Sequence, residues 1–398
     1  MRHFLFRPGS KLSNLLLILL PAGAQAAAPD FSNALEAAWQ NLPEQTYLSE
    51  EKRISGDASP SWLAAAPSVS LTYQQGDNAS ATAEEWQTNV ELPLARPALI
   101  SSQRDYRDAS AAETSARVRL LRWQLAGQLQ TWWWDWRSVQ QRLQRTQQRL
   151  SAMEQQLQWL NLLIRQGERP AADRLAVQEQ YQSLKNQLLT DNRQQQLLQQ
   201  QWQQWTGLPA VPAGWQFSQL SELPLDQHPL LQMLRAQQQQ ADAQFRSNEN
   251  SRFNPRLNLG VKHTEALAAQ PSADVMQLGI SVDFGHSSYS GRRDAIRQLS
   301  SSHADWLRSR QQLERERQIT AASLPQLQLR WQELEAMSQE AASQYDGQYK
   351  AYQRGTLSGF QWLQIQNSIW QLQQQADDAR IQYFRTISQW NQLQGHDL

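Results

Sequence analysis

Six histidines, His3, His228, His263, His286, His303 and His396, are the first residues to test for chemistry, and no two of them stand at the helical spacing of a metal-ligand pair. There is no cysteine, which excludes a thiolate metal site, a disulfide framework and a lipid-anchored N-terminus. No glycine-rich loop could cradle a phosphate, and no G-x-S-x-G turn could present a nucleophile. The carboxylates are scattered along stretches of helical pattern, where solvated ion pairing accounts for them. No cofactor, no metal and no enzymatic role are expected.

What the chain does carry is alternation. Leu257, Leu259 and Val261 alternate with Asn258, Gly260 and Lys262. Met276, Leu278, Ile280, Val282 and Phe284 alternate with Gln277, Gly279, Ser281 and Asp283. Period two marks a strand with one apolar and one polar face. A soluble sandwich would give this pattern, and so would a tilted strand of about ten residues crossing a bilayer. A second copy lies earlier. Val69, Leu71 and Tyr73 alternate, a polar loop is expected over 74–85, and Trp86, Thr88, Val90, Leu92 and Leu94 alternate back. Tyr73 and Trp86 near the strand ends suit either a membrane interface or ordinary end packing.

The elements around these strands are long helices. The chain has 398 residues with 37 basic and 37 acidic side chains, a balance that argues against nucleic-acid binding. Glutamine makes up about 16% of residues, well above ordinary composition. Residues 1–26 read as a secretory signal: Arg2, Arg7 and Lys11, a short apolar run, then Ala24-Gln25-Ala26. Residues 27–207 form a first repeat, with an opening helix capped by Ser32-Asn33, a strand pair at 67–94, a long helix at 98–165 and a returning helix at 171–205. A connector at 208–227 follows. The second repeat, 228–398, has a helix, a strand pair at 255–284, a long helix at 291–352 with a kink expected at Pro325, and a helix at 356–393. The strand-opening Pro67 and Pro255, the hairpin-tip Gly167 and Gly355, and the helix-ending Gly207 and Gly395 are each 188 residues apart (255 − 67, 355 − 167, 395 − 207). Three landmarks at one offset indicate an internal duplication.

Four membrane-length strands leave open edges, and they are too few to close a barrel alone. Either copies join to close the sheet, or the strands lie outside a membrane and the chain is a coiled-coil scaffold or adaptor without a pore. The layout resembles the TolC-like outer-membrane efflux proteins over nearly the whole mature chain. The residues that carry the resemblance are Ala66-Pro67-Ser68-Val69-Ser70-Leu71, Asn254-Pro255-Arg256-Leu257-Asn258-Leu259, Arg165-Gln166-Gly167 with Asp173-Arg174-Leu175, Tyr352-Gln353-Arg354-Gly355-Thr356-Leu357-Ser358, and His228-Pro229-Leu230-Leu231.

The resemblance implies an α+β membrane protein. Three copies form a 12-stranded β-barrel in the outer membrane of a Gram-negative bacterium, four strands per chain, continued by a helical barrel of coiled-coil hairpins into the periplasm. A periplasmic adaptor protein and an inner-membrane pump are the implied partners, with outer-membrane lipid around the barrel, in efflux or type I secretion. Asp173 and Tyr352 match positions that pair across neighbouring hairpins, a carboxylate accepting a phenol hydroxyl. Arg354 and Arg169 are nearby alternatives, and the family's arginine on this segment falls at Leu357. The family's aspartate-ring positions fall at Gln361 and Gln364, so the entrance should attract cations less than in aspartate-bearing relatives. Trp132, Trp133, Trp134 and Trp136 read as core, packing a belt around the tube.

Overall fold

The computed structural model describes residues 30–57, 61–78, 81–212, 218–250, 254–265, 272–282 and 289–396. The expected signal at 1–26, and Asp283 and Phe284 of the second strand pair, lie outside the described residues.

The chain orders its elements as α1 (Phe31–Gln40), α2 (Glu44–Asp57), β1 (Ser68–Asn78), β2 (Ala81–Pro93), α3 (Pro97–Arg165), α4 (Ala171–Thr206), a short 3-10 turn (Leu225–Gln227), α5 (Pro229–Asn250), β3 (Pro255–Thr264), β4 (Ala273–Val282), α6 (Tyr289–Gln353) and α7 (Gly359–Leu393). The fold is mostly helical with one four-stranded antiparallel sheet, ordered β1-β2-β3-β4. Three details differ from the sequence expectation. The cap of α1 is Asp30, whose carboxylate accepts from the Phe31 amide at 2.7 Å, because it stands directly before the first helical residue while Ser32 and Asn33 lie within the helix. The segment 74–85 is largely paired, since β1 runs to Asn78 and β2 starts at Ala81, and ladder hydrogen bonds are indifferent to side-chain polarity. Helix α2, with little apolar periodicity, has no counterpart in the sequence reading. Helix α6 runs through Pro325 without ending there.

The register sorts the side chains by face. Rows Val69–Val90–Leu259–Leu278 and Leu71–Thr88–Val261–Met276 cross the sheet on one side. Rows Ser70–Asn89–Gly260–Gln277 and Thr72–Gln87–Lys262–Val275 cross on the other. The apolar side is uncovered: Met276 is 88% exposed, Leu278 76% and Val69 71%. The polar side is knitted by Arg256–Glu91 at 2.8 Å, a Lys262–Glu85 ion pair and Gln87–Gln277 at 3.1 Å. Gly260 leaves room there for Asn89, whose Oδ1 would stand 2.2 Å from an added Cβ. Among the described residues no helix is long and apolar enough to cross a membrane.

Below the sheet, α3 has 69 residues, about 100 Å at 1.5 Å per residue. Helices α4 and α5 pack on it, while α5 and α7 pack on α6, which has 65 residues. Among the described residues four glycines take the left-handed conformation, Gly167, Gly207, Gly355 and Gly395, and these are the two pairs 188 residues apart. At three of them the same closure recurs, an amide reaching back five residues: Glu168 to Leu163, Thr356 to Ala351 and His396 to Asn391.

Midway along α3 the structure is knotted. Trp132, Trp133 and Trp134 are buried, with Trp136 packed beside them, against Phe31, Leu35 and Ala38 of α1 and Leu198 and Trp202 of α4. Trp132 stacks on Trp202 at 4.7 Å, and its Nε1 donates to the Leu198 carbonyl at 3.1 Å. Trp133 Nε1 donates to Pro212 O at 3.2 Å, which ties the connector in. Gly127 lets α7 approach: an added Cβ would fall 1.6 Å from Gln392 Nε2. The far end of the connector is held by Asn391, which donates to Ser218 O and accepts from the Leu220 amide, and by Arg317, which donates to both Leu223 O and Leu393 O at 2.9 Å.

His228 sits inside this knot, fully buried, with its ring edge-on to Trp123 at 4.8 Å and its Nδ1 accepting from the Leu230 amide at 3.2 Å. Burial, then the nearby Arg317 charge, lower its pKa from 6.5 to about 4. The unfolded chain therefore binds this proton more readily. The contribution is complete above about pH 6.5, declines as pH falls and is fully lost below about pH 4. Its ceiling is roughly 3 kcal/mol. Denaturation midpoints measured between pH 7 and pH 4 should fall for the native chain, and the fall should be markedly smaller for His228→Asn, which keeps a cap acceptor but does not titrate.

Candidate functional site

The two hairpin tips, the α3–α4 turn and the α6–α7 turn, lie side by side and share a core. Its apolar part is Met153, Leu160, Val177, Leu184, Leu363 and Trp370. Its centre is aromatic. Trp362 is fully buried and stacks on Tyr352 at 5.8 Å with the planes 11° apart. Tyr345 meets Trp362 at 5.2 Å, Tyr349 meets it at 5.4 Å, and Trp159 stands edge-on to Tyr352 at 5.2 Å. Such pairs add about 0.5–1.5 kcal/mol each beyond area burial.

Tyr352 and Asp173 are both in this assembly, but no hydrogen bond joins them within the chain. The Tyr352 hydroxyl is buried without a partner. Burial raises its pKa, Gln156 draws it part-way back and the Asp173 charge raises it again. Gln156 faces the hydroxyl without reaching hydrogen-bond geometry, and both of its own amide atoms are buried without a partner. Gln366 donates to the Tyr345 hydroxyl at 3.0 Å.

Arg169, between the turn glycine and α4, makes the main polar contact across the tips. Its Nη2 donates to the Tyr352 carbonyl at 2.6 Å, and its guanidinium lies 5.0 Å over the Tyr352 ring. It also stands 3.9 Å from the Asp173 carboxylate, four residues on. Asp173 in turn presses on Gly359, the first residue of α7: an added Cβ there would lie 2.6 to 2.8 Å from the carboxylate atoms.

The other candidates are placed as follows. Arg354 is exposed in the second turn. Gln361 belongs to a capping box, its Oε1 accepting from the Ser358 amide at 3.0 Å while Ser358 Oγ accepts from the Gln361 amide at 3.2 Å. Gln364 is exposed one turn further on, and Leu357 is packed against the shared core. Gly167 and Gly355 hold the two turns at φ 77° and 79°. Pro67 precedes β1, and Pro255 opens β3 with its carbonyl accepting from the Leu94 amide at 2.8 Å. The aromatic core around Trp362 and the reach of Arg169 escaped the sequence reading. The recurring aromatics at 345, 349, 352 and 362 were a usable signal for the first, and nothing local announces the second. Among the described residues no cluster could hold a metal ion.

Searches against family models and against curated proteins return no match. Solved structures do match. A membrane protein from Pseudomonas aeruginosa superposes with a TM-score of 0.71 at 16% identity, covering 92% of this chain and 89% of that one. The outer membrane protein VceC of Vibrio cholerae gives 0.71 at 12% identity, with 92% and 96% covered. The open state of the MtrE outer membrane channel of Neisseria gonorrhoeae gives 0.67 at 13% identity, with 92% and 88% covered. This chain has the outer-membrane channel fold.

The outer-membrane channel fold accounts for the spatial order of the parts. The sheet stands at one end, the tryptophan knot midway and the paired tips at the far end. Ion pairs link the two hairpins: Arg385 meets Asp135 at 2.8 Å at the level of the knot, and Arg145 meets Asp377 through two contacts of 2.6 and 3.2 Å between knot and tip. Arg149 donates to Trp370 O at 2.5 Å. Trp362→Ala should destabilise the tip by about 3–5 kcal/mol, the range for a fully buried tryptophan, seen as early protease cleavage near residues 345–365 while the sheet end stays protected.

Proposed function

We propose that this chain is the outer-membrane component of a tripartite efflux or type I secretion system, a passive conduit and not an enzyme. Three copies join edge to edge into a 12-stranded barrel in the outer membrane of a Gram-negative bacterium. Their helices line a tube through the periplasm, which opens at the hairpin tips where a periplasmic adaptor and an inner-membrane pump act. The observation that carries this reading is the sheet. Its apolar face is largely exposed, its opposite face is polar and ion-paired, and among the described residues β1 and β4 each leave one edge unpaired. Apolar outside and polar inside is the pattern of a lipid-embedded barrel around water, and the edges require further strands. The fold shared with outer-membrane channels supports the same reading.

The purified mature protein should run as a heat-resistant trimer in detergent and give discrete ion conductance in planar bilayers. A water-soluble monomer without affinity for detergent would refute the proposal and favour the pore-less scaffold. Gln361 and Gln364 are proposed to ring the entrance as neutral amides. A trivalent cation should therefore block the native pore weakly, and Gln364→Asp, which places three carboxylates around the axis, should strengthen the block by about tenfold or more. Equal block of both would remove Gln364 from the entrance.

A further inference from the structure

We infer that the groove on α3 walled by Trp123, Trp132 and Trp205 is a binding site for planar aromatic cations, and so a cargo-contact point on the inner wall of the conduit. Its place on the inner wall rests on the channel reading; the site itself rests on geometry. The cavity measures about 630 Å³, within the roughly 300–1,000 Å³ of small-molecule sites. Its floor is α3, from Trp123 to Asp135, and its sides are Leu198, Gln201 and Trp205 of α4 and Gln392 of α7. Gln124, Gln128, Thr131 and Asp135 recur every three or four residues and form one stripe of α3. Trp133, two residues past Thr131, points about 200° away round the helix. There its Nε1 meets the connector at Pro212. The groove therefore opens on the side of α3 opposite the connector. With the connector wrapped outside the tube, that side is the lumen.

The ligand class follows from the walls. They are held in place before anything binds: Trp123 Nε1 donates to Gln392 O at 3.0 Å, Trp132 Nε1 donates to Leu198 O at 3.1 Å, and Asn41 Nδ2 donates to the Trp205 carbonyl at 3.3 Å. Trp205 is 40% exposed, more than any other helical tryptophan among the described residues. Its ring gives a flat ligand a surface to stack on. Among the described residues the lining carries one formal charge, the Asp135 carboxylate. Arg385 holds its Oδ1 at 2.8 Å, yet the side chain stays 49% exposed. Indole faces attract cations, and the carboxylate acts in the same direction. The amides of Gln124, Gln128 and Gln201 add hydrogen bonds without net charge. The duplicated half lacks these groups: at the 188-residue offset Trp123, Trp132, Asp135 and Trp205 correspond to Gln311, Thr320, Ser323 and Leu393. A hairpin of the same plan folds without them, so the fold alone does not call for Trp205 and Asp135.

The test uses the full mature protein in detergent at neutral pH. The probes are N-methylphenanthridinium and its neutral near-isostere phenanthridine, titrated by calorimetry against a blank of detergent alone. The native chain should bind the cation about tenfold more tightly than the neutral probe. Trp205→Ala should weaken cation binding by about tenfold, and Asp135→Asn by about threefold, as suits a half-exposed charge. Gln201→Glu adds a second carboxylate to the wall and should tighten binding by about threefold, a gain that a damaged fold would not give. Trp62→Ala removes an exposed tryptophan outside the groove and should match the native protein. Equal binding of the two probes overturns the assignment to cations. Native-like binding in Trp205→Ala, or no binding of the cation to the native protein, overturns the site. In planar bilayers the cation should cause brief current blocks, and Trp205→Ala should shorten them by about tenfold. Blocks of equal length in both proteins overturn the lumen position. A native protein without conductance overturns the channel reading, and calorimetry then still decides whether the groove takes the cation.

Discussion

Among the described residues, backbone amides along the outer edges of β1 and β4 have no partner strand. The face that those edges border is apolar and bare. Water would satisfy the edges and penalise the face. Lipid would suit the face and leave each edge amide short by several kcal/mol. More strands would resolve the conflict, and on the proposed reading they come from further copies, since four strands cannot curl onto themselves. The meander makes this simple. Strands alternate in direction along the order β1-β2-β3-β4, so β4 of one copy runs antiparallel to β1 of the next. A ring of copies continues the same ladder without a change of rule.

The helices obey a different economy. Over 69 residues α3 has no persistent apolar stripe, and glutamine and arginine cover much of it. A helix this long gains little from propensity alone and depends on packing. That packing is concentrated. Tryptophans and the connector supply it midway, tyrosines and Trp362 at the tip, and between them ion pairs such as Arg145–Asp377 join the hairpins. The apolar packing is thus concentrated midway and at the tip, with polar contacts in the span between.

Period two, helix length and the 188-residue offset could all be read from the residues, because each is a local or repeated pattern. The strand faces, the two tip turns at Gly167 and Gly355 and the core character of Trp132 to Trp134 follow from such patterns. Contacts between distant segments could not be read. Nothing near Arg169 indicates that it donates to a carbonyl 183 residues later. Nothing near Gly127 shows that α7 delivers Gln392 to it. The cap at Asp30 and the helix α2 were missed for a different reason: both depend on one or two hydrogen bonds or a weakly patterned run, below what periodicity can resolve. The expected hydroxyl contact between Tyr352 and Asp173 named two residues that do meet in one assembly, but the phenol is buried under an aromatic stack and the carboxylate is directed at a helix start instead.

The duplication is most informative where its halves part. Trp132, Trp133, Trp134 and Trp136 correspond, 188 residues on, to Thr320, Ala321, Ala322 and Leu324. Bulk is needed in the first half because α1 and the connector must be anchored there. In the second half the same height of helix packs only on its neighbours, and small residues suffice. Trp202 and Trp390, also 188 apart, are both buried. The tips diverge by the same logic, charge in the first half and apolar or capping residues in the second. Arg169 and Asp173 reach from the first hairpin to the second within one chain, and the second hairpin has no counterpart of the pair.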